Sequence, residues 1–314
     1  AKPIGPPQFC KHATLATELN AVTLWASRAA AVVGRRGDDA LFSFRSSALT
    51  AANGDLVPTA AGVQVLHDVA LVRWRGAFVA AGVDHNTKAT SRGLAMVVTP
   101  AKYTSKAQWV ASFGDGKDLA RFVGVVERPD QRLLFAGDRR AVGGKSSLWL
   151  VQTDKDGKQQ WSKQLTPLDN SKSKPWPKID NVTVDAMAQS ASGDIALLAT
   201  GNPANTSWLL RVDSALNAIT GQALWQSTTP STGGALLRAE PAWVVVGSDG
   251  KSRIARYVLD SGGWSSVQSG KSARAHNMAV TRLVNGDLIV GGYDDDPKKP
   301  GMTIPYLARL SPWA

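Results

Sequence analysis

The stretches AAAVVG (29–34), AFVAAG (77–82), RLLFAG (132–137), IALLATG (195–201), AWVVVG (242–247) and DLIVGG (287–292) decide the fold: each is a short apolar run closed by glycine. The closing glycines, Gly34, Gly82, Gly137, Gly201, Gly247 and Gly292, lie 48, 55, 64, 46 and 45 residues apart. Intervals of this size match the period of a four-stranded propeller blade. The neighbours of each run repeat as well. An apolar strand and a tight turn precede it, as in ARFVGVVERPDQ (120–131), VDAMAQSASGD (184–194) and NMAVTRLVNGD (277–287). A polar loop and a third strand follow, as in SLWLVQTD (147–154), SWLLRVDS (207–214) and PYLARLSP (305–312). A fourth short strand then carries Trp109, Trp161, Trp225 or Trp264.

Helical spacing of apolar residues is sustained nowhere, and turn residues punctuate the chain at strand-length intervals, so the fold class is all-β. The repeat predicts a single six-bladed β-propeller over 1–314 with four-stranded antiparallel blades, at about 19–60, 63–114, 119–166, 184–229, 233–270 and 273–314. A seven-bladed ring is the competitor, but it would have to hide a blade in 167–183, which is too short. The last blade lacks a fourth strand of its own. The segment 9–16, ahead of the first blade, is expected to supply it and so cover an open sheet edge.

WLVQTDKDGKQQWSKQL (149–165) and WLLRVDSALNAITGQALWQS (208–227) resemble the blades of bacterial secreted β-propellers of the PQQ-like, W-L-V-x-x-D-x-x-G-x-x-x-W type. The resemblance implies Trp packed between neighbouring sheets and a D-x-x-G turn shaping the hairpin between the third and fourth strands. It specifies packing rather than function, and it implies no quinone cofactor.

Composition bounds the setting. The chain has 314 residues, 43% of them apolar and 19% charged, as in globular proteins. No apolar run is long enough to span a bilayer, so no transmembrane segment is expected. The one cysteine, Cys10, excludes an internal disulfide framework and a cysteine-rich zinc site. Together with abundant Trp and the resemblance, it places the chain in the periplasm or outside the cell. The net charge of +11 favours a polyanionic partner, yet no Lys/Arg block of five or more marks a nucleic-acid tail, so no nucleic acid is expected.

In a blade the loops between second and third strands, and the links between blades, emerge on one face. The longest connections of this chain, 84–92, 139–146, 167–181 and 293–304, all belong to that upper face, where function is expected. Arg35, Arg36, Arg139 and Arg140 follow the second strands of blades one and three; guanidinium pairs suit carboxylate or phosphate. The four arginines are expected to be exposed binding residues; Asp84 and His85, on the same face, are also candidate binding residues, and Trp176, set between Pro175 and Pro177, is either an anchor folding its segment onto the rim or an exposed stacking surface for a ligand or partner. His67 and His276 are placed just ahead of innermost strands near the channel mouth, where they could hold a divalent metal with Asp84 or His85. The favoured reading of the two is that of hydrogen-bonded channel-lining or inter-blade residues, since two ligands from non-adjacent loops make a weak metal signal. Asp68, Glu127 and Asp185 are the few carboxylates near innermost strands, and no nucleophile elbow, Walker loop, dinucleotide fingerprint or H-E-x-x-H occurs. The expected function is therefore a non-catalytic module binding a protein partner or an anionic glycan, without a cofactor. A metal-assisted hydrolase or lyase is the alternative.

Overall fold

The computed structural model describes residues 17–25, 29–46, 52–56, 62–85, 90–99, 106–169, 177–202, 206–213, 215–216, 219–226, 234–248, 252–259, 264–271, 276–282, 286–295, 298–299 and 303–310. Its strands follow the repeat. The first sheet holds β1 (Thr17–Trp25), β2 (Ala29–Arg36), β3 (Asp39–Ser46) and β4 (Ala52–Leu56). The second holds β5 (Val63–Val72), β6 (Ala77–His85), β7 (Arg92–Thr99) and β8 (Lys106–Phe113). The third holds β9 (Leu119–Glu127), β10 (Leu133–Arg140), β11 (Ser146–Thr153) and β12 (Gln159–Leu165). The fourth adds a two-residue strand, β13 (Leu168–Asp169), to β14 (Asp180–Gln189), β15 (Ile195–Asn202), β16 (Thr206–Val212) and β17 (Ile219–Gln226). The fifth holds β18 (Ala235–Ala239), β19 (Ala242–Ser248), β20 (Ser252–Leu259) and β21 (Trp264–Lys271). The last holds three strands among the described residues, β22 (His276–Arg282), β23 (Leu288–Asp295) and β24 (Thr303–Leu310). Segment 9–16, expected to complete it, lies outside the described residues.

The chain divides into two compact units. Ala1–Glu127, Gln131–Leu133 and Thr153–Lys158 form one; Arg128–Asp130, Leu134–Gln152 and Gln159–Ala314 form the other.

Burial explains why the repeat reads as it does. The inner strands β6 and β19 are buried along nearly their whole length, which is why they are apolar at consecutive positions. The fourth strand β8 alternates exposed and half-buried residues, and its sequence alternates accordingly. In the first unit, Val33, Phe42, Leu66, Phe78, Leu94 and Met96 share one core. In the second, Leu198, Leu209, Trp225, Trp243 and Val245 do.

The closing glycines keep neighbours close. A Cβ on Gly82 would lie 2.0 Å from the Val65 carbonyl oxygen, and one on Gly247 would lie 2.9 Å from the Trp225 ring. Trp225 reaches that position from the preceding blade and donates its indole N–H to the Ser248 carbonyl at 3.1 Å. The D-x-x-G turn takes the form the resemblance implies. Asp154 Oδ1 accepts the backbone N–H groups of Asp156 and Lys158, each at 2.9 Å, and Gly157 sits at φ 83° against the Trp109 ring. In the fourth blade Leu216 takes the corresponding left-handed position, at φ 57°, with its N–H donating to the Asp213 carbonyl.

Innermost strands carry a recurring bulge. Its extra residue is Asn20 in β1, His67 in β5, Asp185 in β14 and Met278 in β22. Side chains from one blade tie to the backbone of the next near these points. Asn20 Nδ2 donates to the Leu66 carbonyl at 2.9 Å, Asp68 Oδ2 accepts the Val125 N–H at 3.0 Å, and Asp138 Oδ1 accepts the Val184 N–H at 3.2 Å. The link 167–179 also differs from the plain loop expected. It leaves and returns through bonds from Ile179 N–H to the Pro167 carbonyl and from Asp169 N–H to the Pro177 carbonyl, each 2.9 Å, with β13 running parallel to β17.

Candidate functional site

The histidines do not stand where counting placed them. His67 is the bulge residue inside β5 rather than ahead of it, and the equivalent bulge in the last sheet falls on Met278. His276 is the first residue of β22, opposite Tyr293, so the two histidines are not in equivalent places; the side chain of His276 lies outside the described portion. The first hairpin spans one residue fewer in the last blade, and the glycine that pairs as Gly82 does is Gly292 rather than Gly291, so the position equivalent to His67 falls two residues beyond His276.

Asp84 and His85 are consecutive in β6, so their side chains project to opposite faces of the sheet. Asp84 is buried beside its cross-strand partners Gln64 and Arg92, and Oδ2 accepts the Ser112 hydroxyl at 2.8 Å. On the other side, His67 has its protonation pushed down to about 4, first by burial and then by the charges of Arg121 and His85. Asp68, half-buried, is pushed up to about 6 by burial, against the opposing effect of the N–H groups of Val125 and Val69. Among the described residues no group of three or more His, Cys, Asp or Glu side chains comes together as a metal cage would require. The other two carboxylates are occupied. Glu127 accepts the Arg73 N–H at 2.9 Å at the lower end of the sheet, and Asp185 accepts the Thr200 hydroxyl at 3.0 Å.

The arginine pairs split for the same geometric reason. Arg140 lies two residues beyond Asp138 and so shares the sheet face through which Asp138 reaches Val184; Arg139 projects from the opposite face. Arg140 is exposed, whereas Arg35, Arg36 and Arg139 are half-buried and engaged in contacts, which corrects the expectation of four solvated side chains. Trp176 lies outside the described residues.

Within the second unit the start of β11 and the start of β14 enclose a recess of about 150 Å³. Ile179 and Val182, each 1% exposed, form its apolar floor. The Ser146 N–H donates to Asn181 Oδ1 at 3.0 Å, and Asn181 holds a left-handed backbone at φ 53°. Ser147 Oγ donates to the Arg139 carbonyl at 3.1 Å. At the rim, Lys145 Nζ lies 3.2 Å from Asp180 Oδ2, both side chains open to solvent. Ser146 itself is buried, and its hydroxyl has no hydrogen-bond partner among the described residues. Sequence reading passed over these residues, since serine and asparagine at strand ends form no motif. Only the long link beside them and the exposed Arg140 pointed to this end of the blade.

No protein-family model matches the chain, and no curated protein matches it in sequence. Solved structures do match. A protein from Lactobacillus plantarum is similar at TM-score 0.55 and 14% identity, over 92% of this chain and 83% of that one. The major allergen Mala s 1 of Malassezia sympodialis is similar at TM-score 0.55 and 12% identity, over 90% and 89%. A glucose dehydrogenase is similar at TM-score 0.55 and 10% identity, over 95% and 99%. An allergen and a dehydrogenase on one scaffold carry no activity across to this chain. The likeness shows the fold, and with the sheets described above it makes this chain an all-β propeller of four-stranded antiparallel blades.

Proposed function

We propose that this chain is a non-catalytic six-bladed propeller of the periplasm or cell exterior, and that it binds an anionic glycan through the face where its longest loops and links emerge. The observation that carries this reading is the recess between β11 and β14. It is lined with hydroxyl, amide, ammonium and carboxylate groups, the Lys145 ammonium pairing with Asp180, and the neighbouring Arg140 and Lys178 are exposed. The net charge of +11 attracts polyanions at long range, and the recess adds short-range hydrogen bonding. A protein partner is less favoured. The exposed large aliphatics among the described residues, Val22, Val110, Val142 and Leu307, stand in four different sheets or their loops and offer no shared anchor.

Retention of the purified chain on immobilised acidic polysaccharide, such as alginate or heparin, tests this. Neutral dextran and a sulfopropyl matrix serve as controls. Elution from the acidic glycan should need more salt than elution from sulfopropyl, and dextran should not retain the chain. The combined R140Q, K145Q and K178Q variant should elute earlier with a flatter salt dependence. Elution from both charged matrices at the same salt would overturn the proposal. A stoichiometric divalent metal in the purified protein, lost when His67 and His276 are replaced, would favour the hydrolase or lyase instead.

A further inference from the structure

Two clamps hold β9, the innermost strand of the third blade, against the second blade, both within the first unit. At the upper end the Ser91 hydroxyl donates to the Ala120 carbonyl at 2.8 Å and accepts the Ala120 N–H at 2.9 Å, and the Ser91 N–H donates to the Asp118 carbonyl at 2.9 Å. Further in, Asp68 Oδ2 accepts the Val125 N–H at 3.0 Å. Each clamp has a histidine beside it. Asp84 pairs with Arg92, so His85 and Ser91 stand side by side at the mouth of the next loop, while His67 is the bulge residue adjoining Asp68. Arg121 directly follows Ala120 in β9 and so lies between the two clamps. The charges of Arg121 and His85 both act on His67, as this arrangement requires. All three side chains are half-buried, so none is sealed from a ligand.

We infer that the upper end of the β5–β9 contact takes the carboxylate of a uronate residue, with Arg121 as its charge partner and the imidazoles of His67 and His85 as flanking N–H donors. This rests on the glycan reading above and adds a point of contact in the first unit. The three groups offer one kind of chemistry. Guanidinium has five N–H donors, so Arg121 can keep the contacts it already makes and still turn donors to a carboxylate, whose planar oxygens match its fork. A neutral imidazole donates one N–H, and a carboxylate only accepts. Arg121 is the one permanent cation of the three, and burial keeps His67 uncharged above about pH 4, so a single negative charge is matched. A phosphate monoester would bring a second charge beside the Asp68 carboxyl, and a neutral sugar would gain nothing from the guanidinium charge. Of the other ionisable groups on strands packed against β5, Asp84 projects from the opposite face of β6, and Glu127 is held by the Arg73 N–H at the lower end. Arg35, Arg36 and Asp39 belong to the first sheet, which packs on the opposite face of β5 through Leu66; the side chains of Glu18 and Arg45 lie outside the described portion.

Proton–carbon spectra of the His67 and His85 rings in the full chain, recorded near pH 5 where Asp68 is mostly uncharged, test the inference. Galacturonic acid is the probe. Acetate, methyl galactopyranoside, methyl sulfate and sodium chloride of equal ionic strength are the controls. Galacturonic acid should shift both ring signals and raise the His67 titration midpoint from about 4, since an adjacent anion favours imidazolium. Arg121→Gln should weaken binding about tenfold, the loss of one charge-assisted hydrogen bond. His85→Gln, at a strand end, should weaken it about fivefold with Tm unchanged. Rings that respond to galacturonic acid no more than to sodium chloride or methyl galactopyranoside would overturn the inference, as would undiminished binding in His85→Gln. Acetate or methyl sulfate binding as tightly as galacturonic acid would overturn the assignment to a uronate carboxylate. If the rings do not respond while alginate or heparin still retains the chain above sulfopropyl, the inference fails and the glycan reading stands. If galacturonic acid binds and the acidic matrices retain nothing extra, the glycan reading fails and the carboxylate site stands.

Discussion

His67 and Asp68 are adjacent in β5, and burial acts on them in opposite directions. His67 is held neutral in the folded state down to about pH 4, while the unfolded chain protonates it near 6.5. Its penalty on folding is complete below pH 4 and disappears as pH rises through 6.5. Asp68 stays protonated in the folded state up to about pH 6, whereas its unfolded pKa is 3.8; its penalty is absent below 3.8 and complete above 6. Each shift of roughly two units corresponds to about 3 kcal/mol at most. Between pH 4 and 6 the two slopes oppose one another, so the wild type should show little pH dependence from this pair. Asp68→Asn should become more stable as pH rises from 4 to 6, and His67→Gln less stable over the same range. Thermal melts across pH 3.5–8 check this, and parallel slopes in the two variants would refute the assignment. Some residue-scale placement was available from the sequence. Strand parity alone separates Asp84 from His85 and Arg139 from Arg140 once β6 and β10 are recognised. The Ser146 and Asn181 contact was not available, because it joins two blades across 35 residues and neither side chain belongs to a motif.

At the scale of the strand and its turns, the glycine markers that reveal the repeat also limit its variation. Gly82 faces backbone that cannot move aside, so Gly82→Ala should cost about 3 kcal/mol, the upper end of ordinary overpacking. Gly157 combines a left-handed backbone with a Cβ direction that meets the Trp109 ring at 2.7 Å, and Gly157→Ala should cost roughly 1–3 kcal/mol. Equilibrium urea unfolding measures both. A Gly82→Ala variant as stable as the wild type would show that the innermost strand is not held at its bulge. Such elements were legible because apolar runs, turn residues and Trp positions are local signals, and Trp109, Trp161, Trp225 and Trp264 fall on β8, β12, β17 and β21. The bulges were not. An extra residue shifts the register without changing composition, so nothing local marked His67 as the bulge residue of β5.

For the molecule as a whole, the basic charge is unevenly available to a partner. Arg140→Gln should leave Tm within about 1–2 °C of the wild type, since an exposed side chain typically contributes within ~0.5 kcal/mol. Arg36→Gln should lower it further, because that side chain is half-buried and engaged. Differential scanning calorimetry of the two variants distinguishes them. The number of glycine markers and the blade boundaries were readable at this scale because each blade repeats the same burial pattern. What a blade presents at its upper end follows from which side chains its neighbours leave unused, and a repeat pattern averages that information away.

The pinned link between the third and fourth blades bears on how such a protein can change. Its two ends are held together by the bonds from Ile179 to Pro167 and from Asp169 to Pro177, so the chain passes from one blade to the next whatever lies between 169 and 177. Doubling a loop closed in this way costs only about 0.6 kcal/mol in entropy. The position therefore behaves as a socket. Segments of different length and chemistry should be accepted between these two bonds, which makes this junction a natural place for new specificity to arise or to be grafted.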